Sequence, residues 1–284
     1  MAAPWPNRDE ENKMVMNIAH RGARSVAPEN TVMAGRKAVE LGADLWEVDV
    51  AVTCDEVLIL FHDTTLERTT NVRDRFPGRS KDAFTTFSFE ELRQLDAGTW
   101  FTQTDPFGQI AEGAVSDVAL TECREQKIPS LEDILIFTRE AGFAVNLELK
   151  DLPAPMASFP MPQRVMALVN DLGMGPDQII FSSFNHGWLR QIMALAPQFR
   201  VQALIGDPED RPLDWGDESF SVYNALYTWV EDEKIRALAR KNIGVNLWTV
   251  NDEDDMKRFI AAGAQGIITD FPQRLKRLTG TKGR

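Results

Sequence analysis

The sequence predicts an α/β protein of the (β/α)8 TIM-barrel class, and three observations carry that expectation. Eight short apolar runs alternate with segments of helical period along the 284 residues. Many of the intervening segments carry readable helix-start or helix-stop residues. The alternating units together span roughly 250 residues, the usual size of a closed barrel of eight parallel strands. The chain, residues 1–284, is read as a single domain, and its 43% hydrophobic content is enough to fill a large core.

The eight runs are VMNIA (15–19), LWEVDVAV (45–52), FAVNLEL (143–149), QIIFSSF (178–184), RVQALI (200–205), NALYTWV (224–230), GVNLWTV (244–250) and GIIT (266–269). Gly42, Gly142 and Gly263 stand where the glycine just past a helix belongs. Ser130 and Asp252 are read as N-caps, and Ser88 with Glu91 as a capping box. A ninth run, VLILF (57–61), breaks the alternation because only Thr53-Cys54-Asp55-Glu56 separates it from the second strand. A parallel return needs a crossover of about a dozen residues, so this run is expected to form an antiparallel β-hairpin after strand 2. With Cys54-Asp55 as a two-residue turn, Glu47 is expected opposite His62 and Asp49 opposite Leu60.

Residues 64–128 are too long for a plain βα loop and are expected to form a small inserted subdomain. Its phenylalanines and Trp100 are read as a small core of its own rather than a lipid site. Its cations Arg68, Arg73, Arg75, Arg79 and Lys81 are either a solvated face or a field that steers an anionic substrate inward. Residues 151–163 and 206–219 are read as loops after barrel strands.

The net charge of −12 argues against nucleic acid or an anionic membrane as the main partner. No apolar run reaches the ~18 residues of a membrane span. The polar start MAAPWPNRDEENK lacks a signal-peptide h-region. Cys54 and Cys123 have no metal-site spacing and are read as free thiols. The expected compartment is therefore cytoplasmic, with no stable membrane insertion and a small molecule as partner.

Charged residues cluster at the ends of the apolar runs. Glu47 and Asp49 are two apart on a strand and so share a face; Glu148 and Lys150 repeat the spacing on the third barrel strand. At the C-terminal mouth of a barrel, three such carboxylates would bind a hard divalent cation, Mg²⁺ or Ca²⁺. The bland alternative is exterior carboxylates paired with helix cations. His20 ends the first strand and His62 the hairpin strand, which brings two of the chain's three histidines to that mouth as candidate acid and base. His186 is read as a surface or helix-start residue with no part in chemistry. Arg21 could fork onto a phosphate and Lys150 add a point charge, or either could neutralise the carboxylates. Trp248 is read either as a wall of the pocket or as core. Two imidazoles, paired carboxylates and a guanidinium are what metal-assisted cleavage of a phosphate ester requires.

Taken together, HRG with PENT, the E-x-D strand, HD, LDAGTWF (95–101), IPSLEDIL (128–135), LELK (147–150), SSF (182–184), WTVN (248–251) and GIITDFP (266–272) resemble the glycerophosphodiester phosphodiesterase family over residues 17–275. The resemblance implies hydrolysis of glycerophosphodiesters, such as glycerophosphocholine or glycerophosphoethanolamine, to glycerol 3-phosphate and an alcohol. It implies Glu47, Asp49 and Glu148 as metal ligands, His20 as base, His62 as acid, and Arg21 and Lys150 as phosphate contacts. Residues 64–128 look like the family's substrate-covering subdomain. The nucleophile is either water or the glycerol 2-hydroxyl. Two departures stand out: Glu56 in the hairpin turn, where relatives often have Gly, and a longer segment 102–127. Two other readings compete. One is a phospholipase-D-like enzyme acting on lysophospholipids or sphingolipids, which would need an apolar entrance. The other is a non-catalytic barrel that binds phosphorylated head groups, which should have lost a ligand or a histidine.

Overall fold

The computed structural model describes residues 15–206 and 213–280. The expectation for the N-terminal segment and part of that for loop 206–219 lie outside the described residues. Nine strands form one sheet: β1 (Met16–Ala19), β2 (Leu45–Val52), β3 (Leu58–Leu60), β4 (Val145–Leu149), β5 (Ile179–Ser183), β6 (Arg200–Ile205), β7 (Val222–Leu226), β8 (Gly244–Trp248) and β9 (Gly266–Thr269). Their order is β1-β9-β8-β7-β6-β5-β4-β2-β3, and a further β1–β2 pairing closes the ring. All pairs are parallel except β2–β3. This is the expected closed eight-stranded barrel with helices between its strands. The sixth run (224–230) is displaced: β7 ends at Leu226, and Tyr227–Trp229 turn into a 3₁₀ segment.

β2 is eight residues long and buried throughout. One of its edges pairs with β4. The other is shared, with β1 taking Leu45 and Trp46 and β3 taking Val50–Val52. The hairpin is present, but its register differs from the expected one by a single residue. Leu60 pairs with Val50, and the Phe61 amide donates to the Asp49 carbonyl at 3.0 Å. The cause is a three-residue loop. The Thr53 amide donates to the Val57 carbonyl at 3.1 Å, and Glu56 closes the turn with φ +63. A third loop residue in the left-handed region makes the bulged three-residue connection in place of a two-residue turn.

The helix punctuation reads as expected. Gly42, Gly142 and Gly263 have φ of +75, +60 and +86 past helices Val32–Glu40, Leu131–Glu140 and Glu253–Ala262. Ser88 forms its capping box with Glu91, and Ser130 forms one with Asp133. Asp252 accepts from the Asp254 and Asp255 amides. The lumen is plugged below by Ile18, Leu45, Ala144, Ile180 and Ile268.

Between β3 and helix Leu131–Glu140 run short helices, among them Phe89–Arg93, Thr99–Thr104 and Asp117–Cys123. The expected separate core is not what forms. Phe84, Phe87, Leu92, Leu95 and Phe101 join the same continuous cluster as Val48, Val50 and Ile59 of the barrel. A stretch of short helices has too little apolar surface to bury alone, so it uses the barrel's flank. Three of its cations are engaged: Arg68 with Glu29 and Asp63, Arg73 with Glu67, and Arg79 with Glu91. Cys54 and Cys123 are free thiols. Among the described residues no helix is long and apolar enough to cross a membrane.

Candidate active site

A cavity of about 440 Å³ opens at the C-terminal ends of the strands. His20, Arg21, Glu47, His62, Glu148, Lys150 and Trp248 all line it. Strand alternation and register build the acidic part. Glu47 and Asp49 face the same way along β2, and Asp49 lies in register with Glu148 of β4. One carboxylate oxygen from each of Glu47, Asp49 and Glu148 lies within 4.8 Å of the others.

The loop from His20 to Thr31 is folded tightly above these carboxylates. Arg21 has φ +53 and Gly22 φ +83. A Cβ on Gly22 would lie 2.6 Å from the Ala34 Cβ, so only glycine lets the loop rest on helix Val32–Glu40. The strained turn aims the Arg21 amide at Glu47 Oε2 at 3.0 Å, with its guanidinium Nε 3.1 Å from Asp49 Oδ2. At the loop's end Asn30 clamps Asp49. Its Nδ2 donates to Oδ2 at 2.8 Å, and its Oδ1 accepts from the Asp49 amide at 3.2 Å. Thr31 then caps the helix by accepting from the Ala34 amide.

The carboxylates are unequal electrostatically. Burial drives Glu47 well above the ordinary carboxylate range, and the neighbouring charges of Asp49 and Glu148 add to the effect. Burial opposes ionisation of Asp49 too. There, Arg21, His62, Lys150 and the Asn30 hydrogen bond outweigh it and hold the carboxyl well below its usual range. Lys150 Nζ sits 3.1 Å from Glu148 and 3.7 Å from Asp49. Arg21 and Lys150 therefore both neutralise the acidic cluster while facing the cavity. Glu47 Oε1 is buried and has no hydrogen-bond partner among the described residues. An unpaired buried carboxylate oxygen beside two further carboxylates suits a hard cation, so the donor set fits Mg²⁺ or Ca²⁺.

Each histidine has its own carboxylate. His20 Nδ1 is 2.7 Å from Asp270 Oδ1, and His62 Nδ1 is 2.8 Å from Asp63 Oδ1. Such contacts hold Nδ1–H against the carboxylate and turn Nε2 outward, where it accepts a proton on a neutral ring and donates one on a protonated ring. Burial and the Arg21 charge lower the His20 pKa to about 4, against the raising effect of Asp270. Asn251 Nδ2 braces Asp270 Oδ2 at 2.7 Å. Asp63 and Glu29 are joined by Arg68, which donates to both oxygens of each at 2.6–3.0 Å. Glu29 also accepts from Arg21 at 2.8 Å.

His186 begins helix His186–Leu195, with its Nε2 2.9 Å from the Leu204 carbonyl. Trp248 is a cavity wall: its indole N–H donates to the Asn224 carbonyl at 3.0 Å, and its ring meets Phe184 edge-on at 5.8 Å. Residue-by-residue reading did not single out Asp270, Asn251, Glu29, Asn30 or the lining residues Asn146, Ser182 and Asn224. Several of these lie inside the stretches PENT, WTVN and GIITDFP, but charge and spacing alone gave them no role. Nothing in the sequence said that the Glu29 of PENT would meet three arginines, Arg21, Arg24 and Arg68.

Residues 20–274 match the Glycerophosphoryl diester phosphodiesterase family. A glycerophosphodiester phosphodiesterase of Caldanaerobacter subterraneus subsp. tengcongensis is 32% identical over 269 residues, covering 94% of this chain and 98% of that one. Among solved structures, a phosphodiesterase from Oleispira antarctica in complex with the product sn-glycerol-3-phosphate superposes with a TM-score of 0.74 at 23% identity. It covers 93% of this chain and 96% of that one. A glycerophosphodiester phosphodiesterase from Agrobacterium tumefaciens superposes with a TM-score of 0.68 at 26% identity, covering 93% and 100%.

Proposed function

The chain belongs to the glycerophosphoryl diester phosphodiesterase family, and we propose that it hydrolyses small deacylated glycerophosphodiesters, such as glycerophosphocholine and glycerophosphoethanolamine, to glycerol 3-phosphate and the free alcohol. The observation that carries this reading is the single cavity mouth where two carboxylate-backed histidines, three carboxylates and two cationic side chains meet. A barrel that only binds head groups would have no use for two carboxylate-oriented imidazoles beside an acidic triad.

Glu47, Asp49 and Glu148 would hold a divalent cation, Mg²⁺ or Ca²⁺, which when bound supplies Lewis-acid withdrawal of charge from a non-bridging phosphate oxygen. Arg21 and Lys150 face the same space and offset charge that builds on the phosphoryl group. His20, neutral at physiological pH because burial lowers its pKa to about 4, keeps Nε2 free to accept the nucleophile's proton. Asp270 holds that ring in place. His62, oriented by Asp63, donates a proton to the departing alkoxide. The substrate-covering role expected of residues 64–128 takes the form of a brace in this reading: Arg68 fixes the two carboxylates that orient His62 and Arg21.

The test is a product assay on soluble glycerophosphodiesters and on lysophosphatidylcholine, run with two histidine variants. His20→Ala and His62→Ala should each lose ~10²–10⁴ in turnover on glycerophosphocholine. A p-nitrophenolate leaving group needs little protonation, so His62→Ala should lose far less on a p-nitrophenyl phosphodiester while His20→Ala loses heavily on both. Equal losses for His62→Ala on both substrates would remove its role as acid. Faster turnover of lysophosphatidylcholine than of every soluble diester would reject the substrate class.

A further inference from the structure

The long segment 102–127 touches the catalytic loop through Phe107. Asp105-Pro106-Phe107-Gly108 forms a tight turn in which the Gly108 amide donates to the Asp105 carbonyl at 3.0 Å and Gly108 takes φ +70. Aspartate first, proline second and glycine last are the residues such a turn favours. The Asp105 carboxylate ties down the chain beyond, accepting from the Ile110 amide at 3.1 Å and the Ala111 amide at 2.9 Å. Phe107 is thereby held in the turn. Its ring centre lies 5.2 Å from the Arg24 guanidinium carbon, and it meets Phe271 edge-on at 5.6 Å.

Arg24 stands between two carboxylates. Its Nε is 3.4 Å from Asp270 Oδ1, the oxygen that also holds His20 Nδ1, and its Nη2 is 3.4 Å from Glu29 Oε2. Arg68 links Glu29 to Asp63, which holds His62. A chain of alternating charge therefore runs from His20 through Asp270, Arg24, Glu29, Arg68 and Asp63 to His62. Its other links are hydrogen bonds of 2.6–3.0 Å. The Arg24 links are longer than the roughly 2.7–3.2 Å of a firm N–H···O bond. Arg24 Nε is buried and has no hydrogen-bond partner among the described residues. The two charges attract the guanidinium without fixing where it lies. Phe107 supplies that constraint, because a cation gains electrostatically from an aromatic face, and more where water is partly excluded. The Arg24 side chain is only 17% exposed. Phe271, next in sequence to Asp270, backs the ring.

Resting on the catalytic roles proposed above for His20 and His62, we propose that Arg24 is a positioning residue for the acid–base pair. Phe107 is the wedge by which segment 102–127 keeps Arg24 between Asp270 and Glu29. Neither side chain lines the cavity. With Arg24 displaced, Asp270 keeps His20 and Asn251 but loses the guanidinium. Its carboxylate is then free to turn, and the imidazole turns with it. A displacement of about 1 Å at a reacting group costs ~10²-fold in rate, so a link remote from the substrate is felt in turnover.

The test compares Arg24→Gln, Phe107→Leu and Phe107→Tyr in turnover of glycerophosphocholine with Mg²⁺, and in NMR of protein carrying isotope-labelled histidines. The chain has three histidines, so His20→Asn assigns the His20 signal by its loss. Arg24→Gln should lower kcat by roughly 10–100-fold with KM within about 2-fold of wild type, since no cavity-lining group is removed. Phe107→Leu keeps apolar bulk without the π face and should lose roughly 2–10-fold in kcat; Phe107→Tyr, which restores the face, should recover it. The His20 Nδ1 proton, shielded by Asp270, should exchange with water several-fold faster in Arg24→Gln and Phe107→Leu than in the wild type. If Arg24→Gln does not fold, the two Phe107 variants carry the comparison, because Phe107 is only half-buried. A lowered Tm with kcat and His20 exchange at wild-type values would show that the two residues serve the fold alone and would overturn the proposal. Equal losses in Phe107→Leu and Phe107→Tyr would overturn the part given to the ring. The exchange readout needs no substrate. Faster exchange in a protein that cleaves no glycerophosphodiester would sustain the brace and remove the function, and unchanged exchange in an active enzyme would do the reverse.

Discussion

His20 shows how much of a residue's role is set by what surrounds it. Its position at the end of a strand marked it as a candidate, but its charge state follows from Asp270, Arg21 and burial, none of which spacing could assign. The pH consequence has a definite sign. The unfolded chain protonates His20 below its ordinary value of about 6.5, while the folded site resists protonation down to about 4. The stabilising contribution is therefore complete above pH 6.5 and is lost as the pH falls through that window, to a maximum of about 3 kcal/mol. Glu47, pushed upward by burial and its acidic neighbours, pulls the other way. The difference between wild type and His20→Asn isolates the histidine: denaturation between pH 7 and 4 should show a flatter slope in the variant. Parallel slopes would mean that His20 takes its proton in the folded protein as easily as outside it. The carboxylates and histidines were legible because their residue types announce chemistry. Asn146 and Ser182 were not, since an amide or hydroxyl in an apolar run looks like ordinary strand composition until the lumen is closed.

At the level of elements, the run pattern gave eight barrel strands and the hairpin, because strand period and crossover length are local properties of the chain. The hairpin register escaped by one residue because turn length depends on whether Glu56 accepts a left-handed backbone, which its residue type disfavours. That strain costs about 1–2 kcal/mol in a non-glycine residue. The only described interaction of the Glu56 side chain is an ion pair with Arg164 at 2.6 Å, with both partners about half exposed. Pairs of that kind contribute about 0–1 kcal/mol. Glu56→Gly should therefore stabilise the protein by roughly 0.5–1 kcal/mol in chemical denaturation, after the entropic penalty of glycine. It should leave turnover unaltered, since the turn lies outside the cavity lining. A loss of stability would show that the ion pair outweighs the backbone strain. The run at 224–230 misled for a different reason: Tyr227 and Trp229 are as apolar as strand residues, yet they wrap the barrel rim as a 3₁₀ turn.

For the whole molecule, a barrel that gathers three carboxylates at one end holds electrostatic repulsion that folding alone does not relieve, even with Arg21 and Lys150 nearby. Cation binding should therefore appear as global stability. Millimolar Mg²⁺ or Ca²⁺ added after chelation should raise the Tm by several degrees, as expected for ~100-fold saturation of a site absent from the unfolded chain. Asp49→Asn should blunt the rise, and an unchanged Tm would leave the triad without a resident cation. A last consequence follows from the four hydrogen bonds by which Arg68 grips Asp63 and Glu29. They tie a peripheral stretch of short helices to the carboxylates behind His62 and Arg21, so the two regions are expected to open and close as one cooperative unit. Occupancy of the mouth should then be felt at a distance. Amide hydrogens in residues 64–128, none of which line the cavity, should exchange more slowly when sn-glycerol 3-phosphate is bound, and Arg68→Ala should abolish that distant protection. Protection that persists in the variant would mean that the helices communicate with the mouth by another route.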